Sequence, residues 1–458
     1  MAGASVLCMM DAATPTIAAV SARRRWCAQA RTSLFWIVIV AFAVRFGYII
    51  IGHTYKFRSG NTVLAANEKD FSFGFEMGRI GHSLAQGQGF GNPFNETTGA
   101  TAWEPPLYPF LIACVFRLFG VYSRTSAIVL LTINSIFSAL TCVPIFLIAK
   151  RCFSEKVAVW SSWTWALLPS VIFWCTRWVW ETSLAAFLLA VIFLLTSEMV
   201  EKDGLKPWLQ LGLLWGAAAL TNTTLLSFLP VSGLWIWYGR AKLRKPSLTG
   251  VILASVIFAA CITPWLIRNH RVFGQFVFIR SNFGAELRLG NGPGADGTWM
   301  DYLHPTKNVF EMRRYKELGE LAYVAERKQE ALAYIREDYA RFFSLSLRRF
   351  VYYWGGVPKA SENPVAAFFR RSLFAASSLL AFWGLGRALR KHEPGAWLFF
   401  WLVLSYPLVY YFLFPHPRYR HPIEPELGIL MLYVISEAQE RLFRSAGEVA
   451  SLESTGKA

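Results

Sequence analysis

Apolar stretches, separated by short basic or aromatic connections and by two long ones, set the plan of this chain. They cover 33–52, 127–149, 157–175, 182–199, 208–222, 224–238, 248–267, 372–389, 395–414 and 422–437. A bilayer core takes roughly 20 apolar residues per helix, so each stretch predicts a membrane-spanning helix. The pair 208–222 and 224–238 is short and also fits one broken helix with a re-entrant turn. Residues 105–119 open with Pro105, Pro106 and Pro109 and predict a re-entrant or interfacial segment. Within the second long connection, QFVFIR (275–280) has the aromatic and β-branched content of a strand, and the Gly/Asn/Pro run after it is turn material. Residues 311–343 predict an amphipathic helix. The expected fold is an all-α polytopic membrane protein with about ten transmembrane helices and a small extracytoplasmic mixed α/β loop domain.

Charge orients this plan. Arg23–Arg25 and Arg31 precede the first stretch, and Lys150, Arg151, Lys156, Lys202, Lys206, Arg240, Lys242, Arg244, Lys245, Arg387, Arg390, Lys391, Arg441 and Arg444 fall in every second connection. Basic loops stay cytoplasmic, which puts both termini inside and the connections 53–126, 175–181, 268–371 and 415–421 outside. The chain then divides into a cytoplasmic tail 1–32, an N-terminal transmembrane catalytic module 33–267 that includes outer loop 53–126, a loop domain 268–371, C-terminal helices 372–440 and a tail 441–458. Residues 1–32 have no apolar run before Arg23, so span 33–52 reads as an uncleaved first helix.

Composition agrees with a lipid environment. The 458 residues are 54% hydrophobic and only 16% charged, against about 25% charged in a soluble domain. The net charge of +17 on such a chain faces anionic lipid, so no nucleic-acid partner is expected. The seven cysteines fall in or near predicted spans without CxxC spacing, which argues against a disulfide framework or a zinc site. His270 and His304 stand isolated, and no resident cofactor is expected beyond an optional divalent cation held by loop carboxylates. Asn95-Glu96-Thr97 matches a glycosylation sequon of the kind that arises often by chance.

Three outer segments carry chemistry. The first, Glu68 to Pro109, holds Glu68, Asp70, Glu76 and Glu104 among aromatic and glycine residues. A carboxylate in an apolar setting has its pKa raised from about 4.3 toward neutrality and can act as a general base. Glu76, after FGF and at the start of a predicted helix 76–86, suits that role; its bland alternative is a first-turn acid complementing the helix dipole. The second is WCTRWVWET (174–182), where Glu181 stands at the mouth of a helix beside Trp174, Trp178 and Trp180, with Arg177 available to a phosphate. Trp faces stack on sugar rings; the alternative is an interfacial aromatic belt. The third is FPHPRYRHPIEPE (414–426), which sets His416, Arg418, Tyr419, Arg420 and His421 on a proline-stiffened segment against the positive-inside trend. Arginine suits bidentate phosphate binding, and head-group anchoring is the alternative.

At these residues the chain resembles the C-type, polyprenyl-phosphate-sugar-dependent membrane glycosyltransferases, in particular the bacterial family 39-like proteins and the lipid A aminoarabinose transferase. The likeness is carried by the acidic first outer loop, by IGHSLAQGQGF and TAWEPPLYPFLIACVFRLFG after it, and by RYRHPIEPELGIL. It implies an outward-facing active site, a polyprenyl-phosphate sugar donor, and a loop carboxylate as base, here Glu76, with Asp70 and Glu68 as the other candidates. It also implies a second acidic site at Glu181, flanked by Arg177 and Trp180, and basic contacts to lipid phosphate from Arg418 and Arg420, with His416 and Tyr419 beside them. The chain departs from the family where Glu68-x-Asp70 replaces a paired acid, and where Glu104 stands before the double proline in place of the lysine of the aminoarabinose branch.

The expected function is transfer of a hexosyl or pentosyl unit, with inversion, from a polyprenyl-phosphate-linked donor to a glycan, lipid or protein acceptor at the outer face of the plasma membrane. A transporter or flippase of lipid-linked glycans is the rival, and a polymerase or ligase a third reading. Transporters are commonly built from inverted repeats, and this sequence carries none.

Overall fold

The computed structural model describes residues 32–57, 72–94, 96–359 and 362–455, so Glu68, Asp70 and Asn95 lie outside the described residues. Helix occupies every predicted apolar stretch. Among the described residues Leu34–Ile51, Arg124–Cys152, Leu248–Phe273 and Pro364–Arg390 are long and apolar enough to cross a membrane, and the bent pair Glu155–Leu167 plus Pro169–Arg177 is either a broken fifth span or a re-entrant loop. Thr182–Glu198 and Ala396–Phe412 are apolar but shorter. Thr182–Glu198 lies in the middle of the bundle, buried along nearly its whole length, and its Phe193 packs on Phe228 and Phe399.

The breaks in these helices have local causes. Pro169 offers no N–H, so the chain leaves helical geometry at Leu168 and restarts 46° away. That break orphans the last carbonyls of the preceding helix. Arg45, wholly buried on Leu34–Ile51, covers them by donating to Trp165 O at 3.0 Å and Ala166 O at 2.8 Å, and also bonds Ser138 Oγ at 3.0 Å. An intramembrane arginine is costly unless so paired. Arg45→Met is expected to cost about 3 kcal/mol, because each buried group left unsatisfied costs ~1–3 kcal/mol; the melting temperature in detergent measures it. Pro407 likewise splits the predicted span 395–414 into Ala396–Ser405 and Leu408–Phe412.

Two expectations for the second long connection are corrected. Among the described residues there is no strand, only an isolated bridge between Gly91 and Ala100. Residues 275–280 run irregularly because side chains take their backbone groups. Trp265 Nε1 donates to Ile279 O at 2.9 Å, and Asn269 Nδ2 reaches Val277 O at 3.3 Å. The loop domain is therefore helical rather than mixed α/β. The predicted helix 311–343 is three helices, Val309–Leu318, Glu320–Glu337 and Tyr339–Gly355. Gly319 separates the first two at φ 76, a conformation that glycine adopts without strain, and the Asp338 side chain caps the third.

The two long connections share one core. Phe94 and Trp103 of the first pack with Ala285, Met312, Tyr315, Tyr323 and Val324 of the second. Each fully buried aromatic of this kind contributes about 1.5–3 kcal/mol. A carboxylate locks the same junction. Glu320 accepts from Ala102 N at 2.7 Å, Ser281 Oγ at 2.7 Å, Tyr315 Oη at 2.8 Å and the Thr101 hydroxyl. Thr101 and Ala102 lead directly into Trp103 and Glu104, and Ser281 follows Arg280, so Glu320 fixes the backbone from which both sides of a later ion pair project.

Candidate active site

A cavity of about 470 Å³ opens where both connections meet the helix ends. Its wall is assembled from distant parts of the chain: Glu76, Glu104, Glu181, Arg280, Glu286, His304, His416, Arg418 and Tyr419 all line it, with Trp103, Trp178, Trp180 and Trp299.

Glu76 starts the helix Glu76–Ala85, which packs against Leu107–Phe119. Phe75 before it sits at φ 51, a strained conformation for a non-glycine residue that the surrounding packing holds in place. The Glu76 segment is bonded to the Glu181 segment, since Val179 N donates to Ser72 O at 3.1 Å. Gly74 permits the approach; its φ is +99, and a Cβ there would lie 2.5 Å from Val179 O. Gly74→Ala is expected to cost ~1–3 kcal/mol and to pull the two glutamates apart, lowering both the melting temperature and the rate of any reaction needing both.

The acids of the cavity are held by weak or neutral partners. Glu76 Oε1 lies 3.3 Å from His304 Nε2. The Thr306 N–H donates to His304 Nδ1 at 3.3 Å, which leaves the hydrogen of the neutral ring on Nε2, the nitrogen facing Glu76. Asn222 Nδ2 donates to Glu181 Oε1 at 3.1 Å and Asn282 Nδ2 to Glu286 Oε1 at 2.9 Å. Glu104 by contrast has a strong cation, Arg280, at 3.2 Å. Burial, then the charge of Glu104, pushes Glu76 up to about 8. Burial also raises Glu181 and Glu286 to about 7, against the pull of Arg418 on the first and Arg280 on the second. Burial together with Arg79 and Lys307 holds His304 down at about 3, and burial with Arg418 keeps His416 low, so both rings are neutral. Titrating carboxylates near neutrality in a recess suit proton transfer.

Arg418 lies across the Trp180 face, its guanidinium carbon 3.8 Å from the ring centroid, and among the described residues its Nε is buried without a hydrogen-bond partner. Tyr419 stacks on Tyr410 with centroids 4.6 Å apart.

The structure thus gathers Glu76, Glu104, Glu181, Trp180, His416, Arg418 and Tyr419 from the sequence-derived set. It does not bring in two others. Arg177 is exposed and turned to Tyr48 Oη at 3.0 Å. Arg420 points into the bundle, bonded to Ser378 Oγ at 2.7 Å, Ser377 Oγ at 3.0 Å and Glu424; Pro417–Ile423 is a 3₁₀ helix, in which residues two apart point about 120° from one another, so the two arginines part. Glu68 and Asp70 lie outside the described residues. Among the described residues no group of three His, Cys, Asp or Glu side chains is placed to hold a metal ion.

Sequence reasoning missed Arg280, Glu286, His304 and Asn222. Arg280 was hidden in the apparent strand, and His304 seemed isolated because its partner is far away in the chain. Asn222 carried a legible signal, a helix-capping residue between two short apolar stretches. The helix Lys206–Thr221 ends there, and Thr223, Thr224 and Ser227 of the following turn line the cavity.

Residues 103–267 match a family model described as dolichyl-phosphate-mannose-protein mannosyltransferase. No curated protein matches the chain. Among solved structures it is similar to the archaeal oligosaccharyltransferase AglB from Archaeoglobus fulgidus in complex with an inhibitory peptide and a dolichol-phosphate, with TM-score 0.54 and 13% identity over 91% of this chain and 52% of that one. The apo form of the Archaeoglobus fulgidus oligosaccharyltransferase gives 0.52, again at 13% identity over 91% and 52%. ArnT from Cupriavidus metallidurans bound to undecaprenyl phosphate reaches 0.37 at 11% identity over 87% and 78%, a likeness too slight to carry an argument. The chain spans about half the length of the oligosaccharyltransferase, and the likeness is one of fold.

Proposed function

From that family match and that fold we propose that this chain is an integral-membrane glycosyltransferase of the C type. It takes a sugar from a polyprenyl-phosphate-linked donor and passes it, with inversion, to a glycan, lipid or protein acceptor at the outer face of the plasma membrane. The single observation that carries the reading is the shared cavity: Glu76, Glu181 and Arg418, from three distant segments, line one recess walled with tryptophan.

The roles follow from the geometry. The donor enters from the bilayer, and its phosphate meets Arg418, whose planar fork suits two phosphate oxygens. The sugar lies against Trp180 and Trp178. Glu76 accepts the proton of the acceptor hydroxyl as its oxygen attacks the anomeric carbon. The new carbon–oxygen bond forms as the bond to the phosphate oxygen breaks, and the electron pair leaves on polyprenyl phosphate. A single displacement of this kind inverts the anomeric centre. The basic residues of every second connection support an orientation with both termini inside and the cavity on the outer face, where lipid-linked donors are used. The rival reading, a transporter or flippase, accounts for the arginine, but transporters carry their proton-relay acids within the spans, whereas Glu76 and Glu181 sit on connections between them.

The test has two parts. Envelope glycans of a deletion strain are compared with those of the parent by mass spectrometry, which names the sugar and the acceptor. Purified protein is then incubated with polyprenyl phosphate carrying a labelled form of that sugar. Release of polyprenyl phosphate together with a labelled acceptor supports transfer; movement of intact donor across vesicles without release overturns it.

A further inference from the structure

Asn222 is a polar residue of the cavity wall that the roles above leave unused. Its Oδ1 caps the turn after Lys206–Thr221, accepting from Thr224 N at 3.0 Å and Thr224 Oγ1 at 2.7 Å. With that oxygen engaged, the amide cannot flip, and Nδ2 is presented to Glu181 Oε1 at 3.1 Å. Among the described residues the other oxygen of Glu181, Oε2, is buried without a hydrogen-bond partner, although the residue lines the cavity. A buried acceptor with an open lone pair calls for a donor from a ligand. Among the described residues the neighbouring side chains do not supply one: Arg418, Arg280 and Glu104 act on the carboxylate through their fields, beside the backbone N–H of Glu181 itself.

We infer that Asn222 and Glu181 form a hydroxyl-reading subsite for the donor sugar, in which Asn222 is a positioning residue. It pins Oε1, and the fixed Oε2 accepts from one ring hydroxyl of a sugar lying on Trp180. The inference rests on the reading of the cavity as the transfer site. It adds a specificity element: the donor must carry a hydroxyl, not an acyl group or a hydrogen, where Oε2 points.

Two substitutions separate the cap from the pin. Asn222→Ser keeps an oxygen able to cap Thr224 N, since serine is a good N-cap, but is too short to donate to Glu181. Asn222→Asp also keeps the cap and replaces the donor by a second carboxylate. Two carboxyls at this separation hold one proton between them at low pH and repel when both ionise. Initial rates are measured from pH 5.5 to 8.5 in membranes of the deletion strain carrying each variant, with the native lipid-linked donor pool, alongside melting temperatures of the purified proteins.

The Asn222→Ser rate is expected about tenfold below wild type at pH 8.5, where Glu181 is ionised, from loss of one hydrogen bond to a charged group. The Asn222→Asp rate is expected to fall a further tenfold or more at pH 8.5 and to recover relative to Asn222→Ser as the pH drops to 5.5. Wild-type rates from both variants, or an Asn222→Asp deficit of constant size at every pH, overturn the inference. Should Asn222→Asp not fold, Asn222→Ser decides alone: a tenfold deficit at an unchanged melting temperature supports the pin, and a wild-type rate, or a deficit matched by a fall in melting temperature, overturns it. If wild-type membranes transfer no sugar, the transfer reading itself fails, a result distinct from either.

Discussion

Glu76→Gln is expected to leave a folded protein whose transfer rate is lower by about 10³-fold, within the range that removal of a general base produces. Folding survives because the amide has the shape of the acid and carries no charge. Glu76 itself, pushed up to about 8 by burial, is already mostly protonated at neutral pH. Only the ionised form can take the acceptor's proton. The wild-type rate therefore climbs as pH rises, nearly tenfold per unit well below 8, and levels above it. The residual rate of Glu76→Gln has no such rise. Release of polyprenyl phosphate across pH 6 to 9 checks both statements, and full activity in the Gln variant removes Glu76 from its role.

Arg418→Ala is expected to lower kcat/KM for the lipid-linked donor by 10²- to 10⁴-fold. Two charge-assisted hydrogen bonds to a phosphate contribute about 1.5–3 kcal/mol each, and every 1.4 kcal/mol is about tenfold. Arg418→Lys recovers part of the loss, because it keeps the charge but not the planar fork that lies on Trp180. The loss deepens toward low pH, since Arg418 also favours the ionised forms of Glu76 and Glu181. Arg420→Lys in the same assay separates the neighbours. Arg420 is spent on Ser377, Ser378 and Glu424, so its loss lowers stability and leaves donor kinetics near wild type.

What was legible in the sequence was what local chemistry determines. Runs of apolar residues place helices, and prolines such as Pro169 and Pro407 place their interruptions. Glu76 and Arg418 stood out because each violates its surroundings, an acid after FGF and an arginine on an outer, proline-rich turn. Side-chain direction was not legible. Arg418 and Arg420 are equivalent by composition, and only the packed turn decides that one faces the cavity and the other the helices. Long-range pairing was equally hidden: nothing near His304 announces Glu76, and nothing near Asn222 announces Glu181. The strand expected at 275–280 failed for a related reason, since Trp265 and Asn269 satisfy its backbone from a helix that the local pattern does not include.

The core that Phe94 and Trp103 share with Met312, Tyr315 and Tyr323 has a consequence for biogenesis. Trp103 leaves the ribosome long before Met312, Tyr315 and Tyr323, and until they follow it has only Phe94 of that core to pack on and Ala102 lacks the Glu320 carboxylate it bonds. The reactive chamber is thus among the last parts to assemble. On the proposed reading, a chain arrested between the two connections can insert several helices and still hold no donor, so an unfinished copy is harmless to the lipid-linked sugar around it.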